Sequence, residues 1–529
     1  MTRIELYDTT LRDGMQGEGM SLSAQEKLRV AHRLDDLGID LIEAGFPSSN
    51  PKELELFELL AAESFAHAAV AAFGMTRRRG IEASEDPALR VLAECFAPVC
   101  TLVGKTWALH LEKVVRVDRD ENLRMISESV AFLAAQGKRV IYDAEHFFDG
   151  FADDPGYALC CLVAAVQAGA DTVVCCDTNG GSLPNAIEST MRVVVSELRS
   201  AGARVGIHCH DDAGCSVANS LAAVLAGASH VQGTINGYGE RCGNANLVTI
   251  IPNLQLKLGY ECLSDAQLAS LTPAAHFIDE LLNFTPDPDQ PYVGRNAFAH
   301  KGGMHVAGVS ADPATFEHVE PGVVGNKREV LISELSGKGT VHARAREAGI
   351  ELDDEQAGRI VERVKQLEHQ GYQFEAADGS FELLLRKETG HYEPLFTLEH
   401  WRVIVEMGHR GHVETEATLK LWVNGERYVR TTEGNGPVHA LDRALREAIG
   451  DLYPHLADIE LENFKVRLID EHEGTASVTR VLLDASDGDK VWGSIGVSEN
   501  VIEASWQALV DSLEYGMQRV VSPESARRT

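Results

Sequence analysis

Short β-branched apolar runs alternate with longer stretches whose apolar residues recur at helical spacing, and this alternation fills roughly the first 250 residues. The runs predict strands at Ile4–Tyr7, Leu41–Ala44, Ala69–Phe73, Val99–Val103, Val140–Asp143, Thr172–Cys176, Val205–His208 and His230–Ile235. Amphipathic helical patterns lie between them. Ser23-Ala-Gln-Glu26 opens the first as a capping box and Gly38 closes it. Gly137, Gly169, Gly202 and Gly227 fall where later helices should stop. About eight βα units fit a (β/α)8 TIM barrel, whereas a doubly wound open sheet is the competing architecture. The barrel is preferred because no Gly-x-Gly-x-x-Gly follows a strand. Polar residues also cluster just past the strands: Arg12 and Asp13, Glu43, Glu145 and His146, Asp177 and Thr178, His208 and His210, Asn236. In a barrel those positions converge on one mouth.

The pattern changes after residue 284. Thr285-Pro-Asp-Pro-Asp-Gln-Pro291 cannot be helical and reads as a connector. It leads to His300-Lys-Gly-Gly-Met-His305, where two glycines predict a tight bend presenting His305. Charged and apolar residues return to helical spacing from Asp353 to about Glu375. A separate α+β domain is expected from near Trp401. Ala417–Val423 alternates as a strand, Asn424-Gly425 is a hairpin turn, and Glu426–Thr431 returns. Pro437 then opens a helix. Strands follow at Leu461–Leu468, Ala476–Leu483 and Val491–Val497, with a final helix after Ser498. The predicted division is a catalytic barrel at 1–284, linker subdomains at 285–400, and a C-terminal regulatory or dimerisation domain at 401–529.

Bulk properties narrow the function. A formal charge of −32 over 529 residues disfavours nucleic acid, whose phosphates need a basic face. No apolar run is long enough to span a membrane, and no secretory pattern precedes the first strand. The ten cysteines lie between Cys95 and Cys262, several as adjacent pairs such as Cys160-Cys161 and Cys175-Cys176. They read as reduced core residues of a cytoplasmic enzyme. Cys242, in a loop at the expected mouth, is the exception.

The densest chemistry lies in Gly206-Ile207-His208-Cys209-His210-Asp211-Asp212. Alternation along a strand puts His208 and His210 on one face, which is half a metal site. Strand 1 runs into Leu11-Arg12-Asp13-Gly14. In a closed barrel, strand 1 lies two places from strand 7. Asp13, both histidines and the loop after strand 8 can then reach a common point.

Three motifs carry a resemblance to a known family: Leu11-Arg12-Asp13-Gly14-Met15-Gln16, His208-Cys-His210-Asp211 and Gly237-Tyr-Gly239-Glu240-Arg241-Cys-Gly243-Asn244. They are similar to the signatures of the 2-isopropylmalate, homocitrate and citramalate synthases, which are barrel metallolyases. The segment Gly434-Asn-Gly-Pro-Val-His-Ala440 resembles part of that family's allosteric domain. Asp143-Ala-Glu145-His146-Phe-Phe-Asp149-Gly150 and His300–Val306 are most similar to the citramalate branch.

The resemblance implies a condensation of acetyl-CoA with pyruvate, followed by thioester hydrolysis, on the route to isoleucine. It implies a divalent metal (Mn²⁺ or Mg²⁺, with Zn²⁺ as an alternative) held by Asp13, His208 and His210, with Asn244 as fourth ligand. Arg12 would stabilise the developing alkoxide, Thr178 would bind the pyruvate carboxylate, and His305 would be the base with Glu145 orienting or relaying. It further implies a homodimer and an isoleucine effector. Each role has a structural competitor. Arg12 could pair with Asp13 or Glu43, and Glu145 could be an ion-pair partner. Thr178 could cap a turn, Asn244 could shape its loop, and His305 could be an interface histidine. A tyrosine found past the base histidine in several synthases has no counterpart here, Phe316 being the nearest aromatic. The sibling synthases, a lyase of the same superfamily and a non-catalytic metabolite-binding regulator are the alternative functions.

Overall fold

The computed structural model describes residues 2–47, 49–333, 336–407, 411–469 and 477–521. Two compact units emerge: Met1–Phe298 with Val319–Arg328, and Ala299–His318 with Glu329–Thr529.

The first unit is a closed parallel barrel with strands in sequential order. Its strands are β1 (Glu5–Asp8), β2 (Leu41–Gly45), β3 (Ala69–Met75), β4 (Val99–Lys105), β5 (Arg139–Glu145), β6 (Thr172–Asp177), β7 (Arg204–Cys209) and β8 (His230–Gly233). β1 pairs with both β2 and β8, which closes the ring. The eight runs read from the sequence fall on these strands within one or two residues, because strands buried on both faces keep uninterrupted apolar character. One apolar layer fills the barrel (Tyr7, Leu41, Ala71, Val99, Ile141, Val174, Cys176), and a larger one joins the strands to the helices outside. Ser23 caps the first helix, Ala24–Leu37, through the expected capping box, and Gly38 ends it at φ 90°, a left-handed position suited to glycine.

The cysteines are all free thiols. Cys161, Cys175 and Cys176 are buried as expected, but Cys160 is exposed. It lies on the helix Pro155–Gln167, where successive side chains point about 100° apart, so two adjacent cysteines cannot share the inner face. Among the described residues, no helix is long and apolar enough to cross a membrane.

The second unit opens with a parallel pair, β9 (Ala299–His300) and β10 (Glu329–Val330), and the helices Gly303–Ala311, Lys338–Glu347, Asp354–His369 and Asp378–Thr389. Two antiparallel three-stranded sheets follow. The first is β11 (Thr397–Met407), β12 (Val413–Val423) and β13 (Glu426–Gly434), then the helix Pro437–Ile449. The second is β14 (Glu460–Leu468), β15 (Thr479–Ser486) and β16 (Val491–Ser498), then the helix Val501–Val521. Leu419, Leu421, Leu445, Leu483, Trp492 and Leu509 share one core across both halves. Asn424 and Gly425 take φ 51° and 83°, the paired positive values of a type I′ hairpin turn.

One expectation needs correction here. The first sheet has an extra strand, β11, so each half is βββα. β11 is largely exposed, and a register shift between Leu398 and His400 breaks its two-residue period. The chain bends at Gly302. Gly302 is extended at φ −70° and caps the helix Gly303–Ala311, placing His305 in its first turn. The predicted start of a strand at Ala476 lies outside the described residues.

Candidate metal centre at the barrel mouth

β7 ends with His208 and Cys209, and pleating sends the two histidine side chains to the same side. His208 Nε2 lies 3.3 Å from His210 Nε2. Asp13 Oδ2, from the turn after β1, is 3.3 Å from His208 Nε2 and 3.8 Å from His210 Nε2. All three residues are buried, and among the described residues they form a cluster whose ligand atoms lie within 4.8 Å of one another. The loop after β8 is laced to the end of β7: Asp211 N donates to Gly243 O at 2.9 Å and Ala245 N to Cys209 O at 2.8 Å. Gly243 is required there, since its φ is 95° and a Cβ would stand 2.1 Å from Gly237 O. That loop delivers Asn244, whose Nδ2 donates to Asp13 Oδ2 at 2.8 Å.

The donor set fits a divalent cation. Two imidazole nitrogens and a carboxylate oxygen converge with no thiolate among them. His210 Nδ1 and Asn244 Oδ1 are buried without a partner. Asn244 Oδ1, on the amide that reaches Asp13, is an acceptor left for a cation, whereas His210 Nδ1 lies on the ring edge away from the cluster. His208 Nδ1 meets Gln232 Oε1 at 2.9 Å, and Gln232 Nε2 donates to Asp143 Oδ1 at 3.0 Å. With Nδ1–H donating to the amide oxygen, Nε2 presents its lone pair to the cluster, the outer-shell arrangement that orients a ligating histidine.

The electrostatics agree. Burial works against charge on Asp13, but Arg12 and His208 outweigh it and hold the carboxyl well below the usual range. Burial and the neighbouring His208 push His210 down to about 4, so its ring is neutral at pH 7. Burial, reinforced by Glu43, raises Asp143 to about 7.

Arg12 lies at the rim. Its Nε donates to Glu43 Oε2 at 2.6 Å and its Nη1 approaches Asp13 Oδ1 at 3.2 Å. The guanidinium stacks over Phe73, 3.9 Å from the ring centre. Glu43 is held in turn by the Tyr7 hydroxyl at 2.8 Å. Arg12 thus makes both ion pairs weighed as structural, while its side chain stays 15% exposed.

The HMGL-like family model matches residues 3–278, the homocitrate synthase post-HMGL domain-like model residues 292–372, and the LeuA allosteric (dimerisation) domain model residues 375–517. A protein from Streptomyces coelicolor named (R)-citramalate synthase is 49% identical over 97% of this chain and 96% of its own length. One of the same name from Synechocystis is 48% identical over 98% of this chain and 96% of its own. The chain belongs to the (R)-citramalate synthase family. A probable 2-isopropylmalate synthase from Methanopyrus kandleri stands further off, at 33% identity over 96% of this chain and 97% of its own.

In this member of the family, the other expected residues are placed as follows. Glu145 ends β5 and pairs with Lys105 at the end of β4. Thr178, just past β6, accepts from His146 N at 2.9 Å, which leaves its own O–H free to donate. His305 lies in the second unit, exposed, with its ring stacked on Phe316 at 4.2 Å. Cys242 is exposed beside the loop that carries Asn244. Sequence reasoning missed Lys105, Gln232 and Phe73. Gln232 had a signal, as a lone amide inside the buried run of β8. Lys105 and Phe73 had none, since a lysine at a strand end reads as solvated and a phenylalanine as core.

Proposed function

We propose that the chain is an (R)-citramalate synthase, condensing acetyl-CoA with pyruvate and hydrolysing the thioester to give (R)-citramalate and CoA. The observation that carries this reading is the buried Asp13–His208–His210 cluster with Arg12 at its rim. Asp13, His208 and His210 are the proposed protein ligands of a divalent ion, Mn²⁺ or Mg²⁺ before Zn²⁺. Asn244 joins them by turning its amide from Asp13. A divalent ion bound there supplies a Lewis acid for the keto oxygen of pyruvate.

The chain's own groups do the rest. Arg12 offers guanidinium N–H groups where negative charge develops on the keto oxygen as the new C–C bond forms. The free Thr178 hydroxyl donates to the pyruvate carboxylate. The family resemblance assigns removal of the acetyl methyl proton to His305, whose imidazole is exposed and held flat by Phe316. Glu145, fixed by Lys105, orients or relays. Water then cleaves the thioester, releasing CoA.

The dimerisation-domain match supports a homodimer, and the free cysteines fit a reducing, cytoplasmic setting. Isoleucine is the proposed effector, its carboxylate meeting backbone N–H groups where the helix Pro437–Ile449 begins. Asn435 N–H is already taken by His439 Nδ1 at 3.1 Å, so Gly436, Val438 and His439 are the donors left for it. Thiol release assayed with pyruvate, 2-oxobutyrate and 2-oxoisovalerate tests the reading. The expected order favours pyruvate, each added methyl or methylene costing about 10- to 100-fold in kcat/KM. Preference for 2-oxoisovalerate would reassign the chain to isopropylmalate synthesis.

A further inference from the structure

Two loops at the barrel mouth carry arginines for which the proposed chemistry has no use. After β3 the chain reads Thr76-Arg77-Arg78-Arg79-Gly80. After β4 it makes a widened helical turn, Leu111–Val115, and ends at Arg116 in a left-handed conformation, φ 57°. Between these loops lies a cavity of about 610 Å³, within the range of small-molecule sites. Its wall is partly apolar, with Phe46, Met75, Val103 and Val114, and partly cationic.

The arginines divide into two kinds. Arg77 is buried and saturated: Nε donates to Glu128 at 2.5 Å, Nη1 to Glu121 at 2.8 Å, and its backbone N to Ser129 Oγ at 2.8 Å. It anchors the loop. Arg78, Arg79 and Arg116 are exposed. None of the three makes an ion pair among the described residues. Arg79 Nη1 donates to Arg116 O at 3.1 Å, which ties the two loops together and holds that guanidinium at the cavity. Asp86 is the carboxylate on the wall, and it is already occupied by the N–H groups of Ala88, Leu89 and Arg78. In a chain of net charge −32, three uncompensated guanidinium groups around one cavity are a local reversal of sign.

Two walls connect this cavity to the reaction centre. Lys105 lines it and pairs with Glu145. Phe46 lines it and packs edge-on against Phe73 at 5.5 Å, and Phe73 lies under Arg12. Lys105 on the cavity wall thus touches Glu145, and Phe46 on that wall is joined to Arg12 through Phe73.

We propose that this cavity holds the phosphorylated nucleotide end of the acyl-CoA substrate, with Arg78, Arg79 and Arg116 as the phosphate-binding residues. The inference rests on the condensation reading above. Coenzyme A carries a pyrophosphate, a 3′-phosphate and a flat adenine, which match planar guanidinium forks and an apolar wall. The keto acid has a single carboxylate and no need of three arginines. Phosphate contacts made equally in the ground and transition states set KM and leave kcat alone.

Full-length enzyme should be compared with the Arg78→Ala/Arg79→Ala double variant and with Arg116→Gln, using acetyl-CoA and the truncated thioester acetyl-pantetheine. The expected result is a KM for acetyl-CoA raised about 10- to 100-fold in the double variant, the scale of lost charged hydrogen bonds. Its kcat, its KM for pyruvate and its KM for acetyl-pantetheine should stay unchanged. Arg79→Lys, which keeps the charge, should recover part of the loss. Calorimetric titration with 3′,5′-ADP should show binding to the parent enzyme and weakened binding to both variants. An unchanged KM for acetyl-CoA, or an equal loss with acetyl-pantetheine, overturns the proposal. If the parent enzyme turns over neither thioester with pyruvate, the condensation reading fails. The 3′,5′-ADP titration then still decides whether the arginines form a nucleotide cradle.

Discussion

The barrel has a charged cluster at each end, and the two are built differently. At the N-terminal end, Glu5 collects three cationic or polar partners: His230 Nδ1 at 2.8 Å, Arg139 Nη2 at 2.8 Å, and Arg204. Arg139 also reaches Asp171 at 2.7 Å. One carboxylate is matched by more than enough donors, and the group joins β1, β5, β7 and β8, with His230 Nε2 left unmet on the far edge of its ring. At the C-terminal end, two imidazole nitrogens and a carboxylate oxygen converge within 4.8 Å of one another at one buried point, with His210 Nδ1 and Asn244 Oδ1 unmet. Burying three metal-ligating side chains together, without a saturating set of partners, costs stability. Such a cost persists where function needs the site, so the floor reads as structure and the mouth as chemistry.

The largest effect should come from removing a mouth imidazole. His208→Ala is expected to reduce CoA release well beyond the 10- to 100-fold typical of changes around a metal's outer shell. Thermal unfolding should show a stability equal to or above that of the parent. A large drop in melting temperature would place His208 with the floor residues. Next in size is the floor itself. Glu5→Ala leaves two arginines and a histidine without their carboxylate and should cost about 3–5 kcal/mol in denaturant unfolding, with kcat per folded enzyme retained.

The two ends should also differ in the sign of their pH dependence. Although burial opposes it, the hydrogen bonds from His230 and Arg139 hold Glu5 far below the ordinary carboxylate range. Its stabilisation is therefore complete above the unfolded value of about 4.3 and fades as pH falls below it. Glu5→Gln should flatten that acid limb.

Arg12→Lys keeps the charge but loses the planar guanidinium that bridges Glu43 and Asp13. It should lower kcat about a hundredfold, the scale of a lost oxyanion donor, with pyruvate affinity nearly intact. An unchanged kcat would make Arg12 a structural partner of Asp13 and Glu43 only. The change with the smallest slope per pH unit concerns Asp143, raised to about 7 by burial and then by Glu43. The unfolded chain ionises this acid near 3.9 while the folded protein keeps its proton, so stability should fall as pH rises from about 4 to about 7. The slope is at most about 1.4 kcal/mol per pH unit, opposite in sign to that of Glu5. Asp143→Asn should remove it, as read by unfolding midpoints across that range.

Much of this was legible in the order of residues. Strands such as Thr172–Asp177 are buried on both faces and announce themselves as unbroken apolar runs. His208 and His210 announce themselves by their spacing. What stayed hidden depends on neighbours distant in sequence. The role of Gln232 exists only because β8 lies beside β7, and that of Lys105 because β4 lies beside β5. β11 escaped because an edge strand with little burial has no reason to keep a strict alternation. The division between ion-paired Arg77 and its neighbours Arg78 and Arg79 depends on Glu121 and Glu128 of the helix Arg119–Ala135, more than forty residues further on.

The central claim is that the mouth cluster holds a divalent ion that the condensation requires. The most direct test is to strip the enzyme with chelator, dialyse it against Mn²⁺, and measure bound metal per chain alongside CoA release from acetyl-CoA and pyruvate. The prediction is about one ion per chain at this cluster, activity lost on stripping and restored with the ion, and neither binding nor restoration in His208→Ala. Full turnover by the stripped enzyme, or undiminished metal binding in His208→Ala, would contradict it.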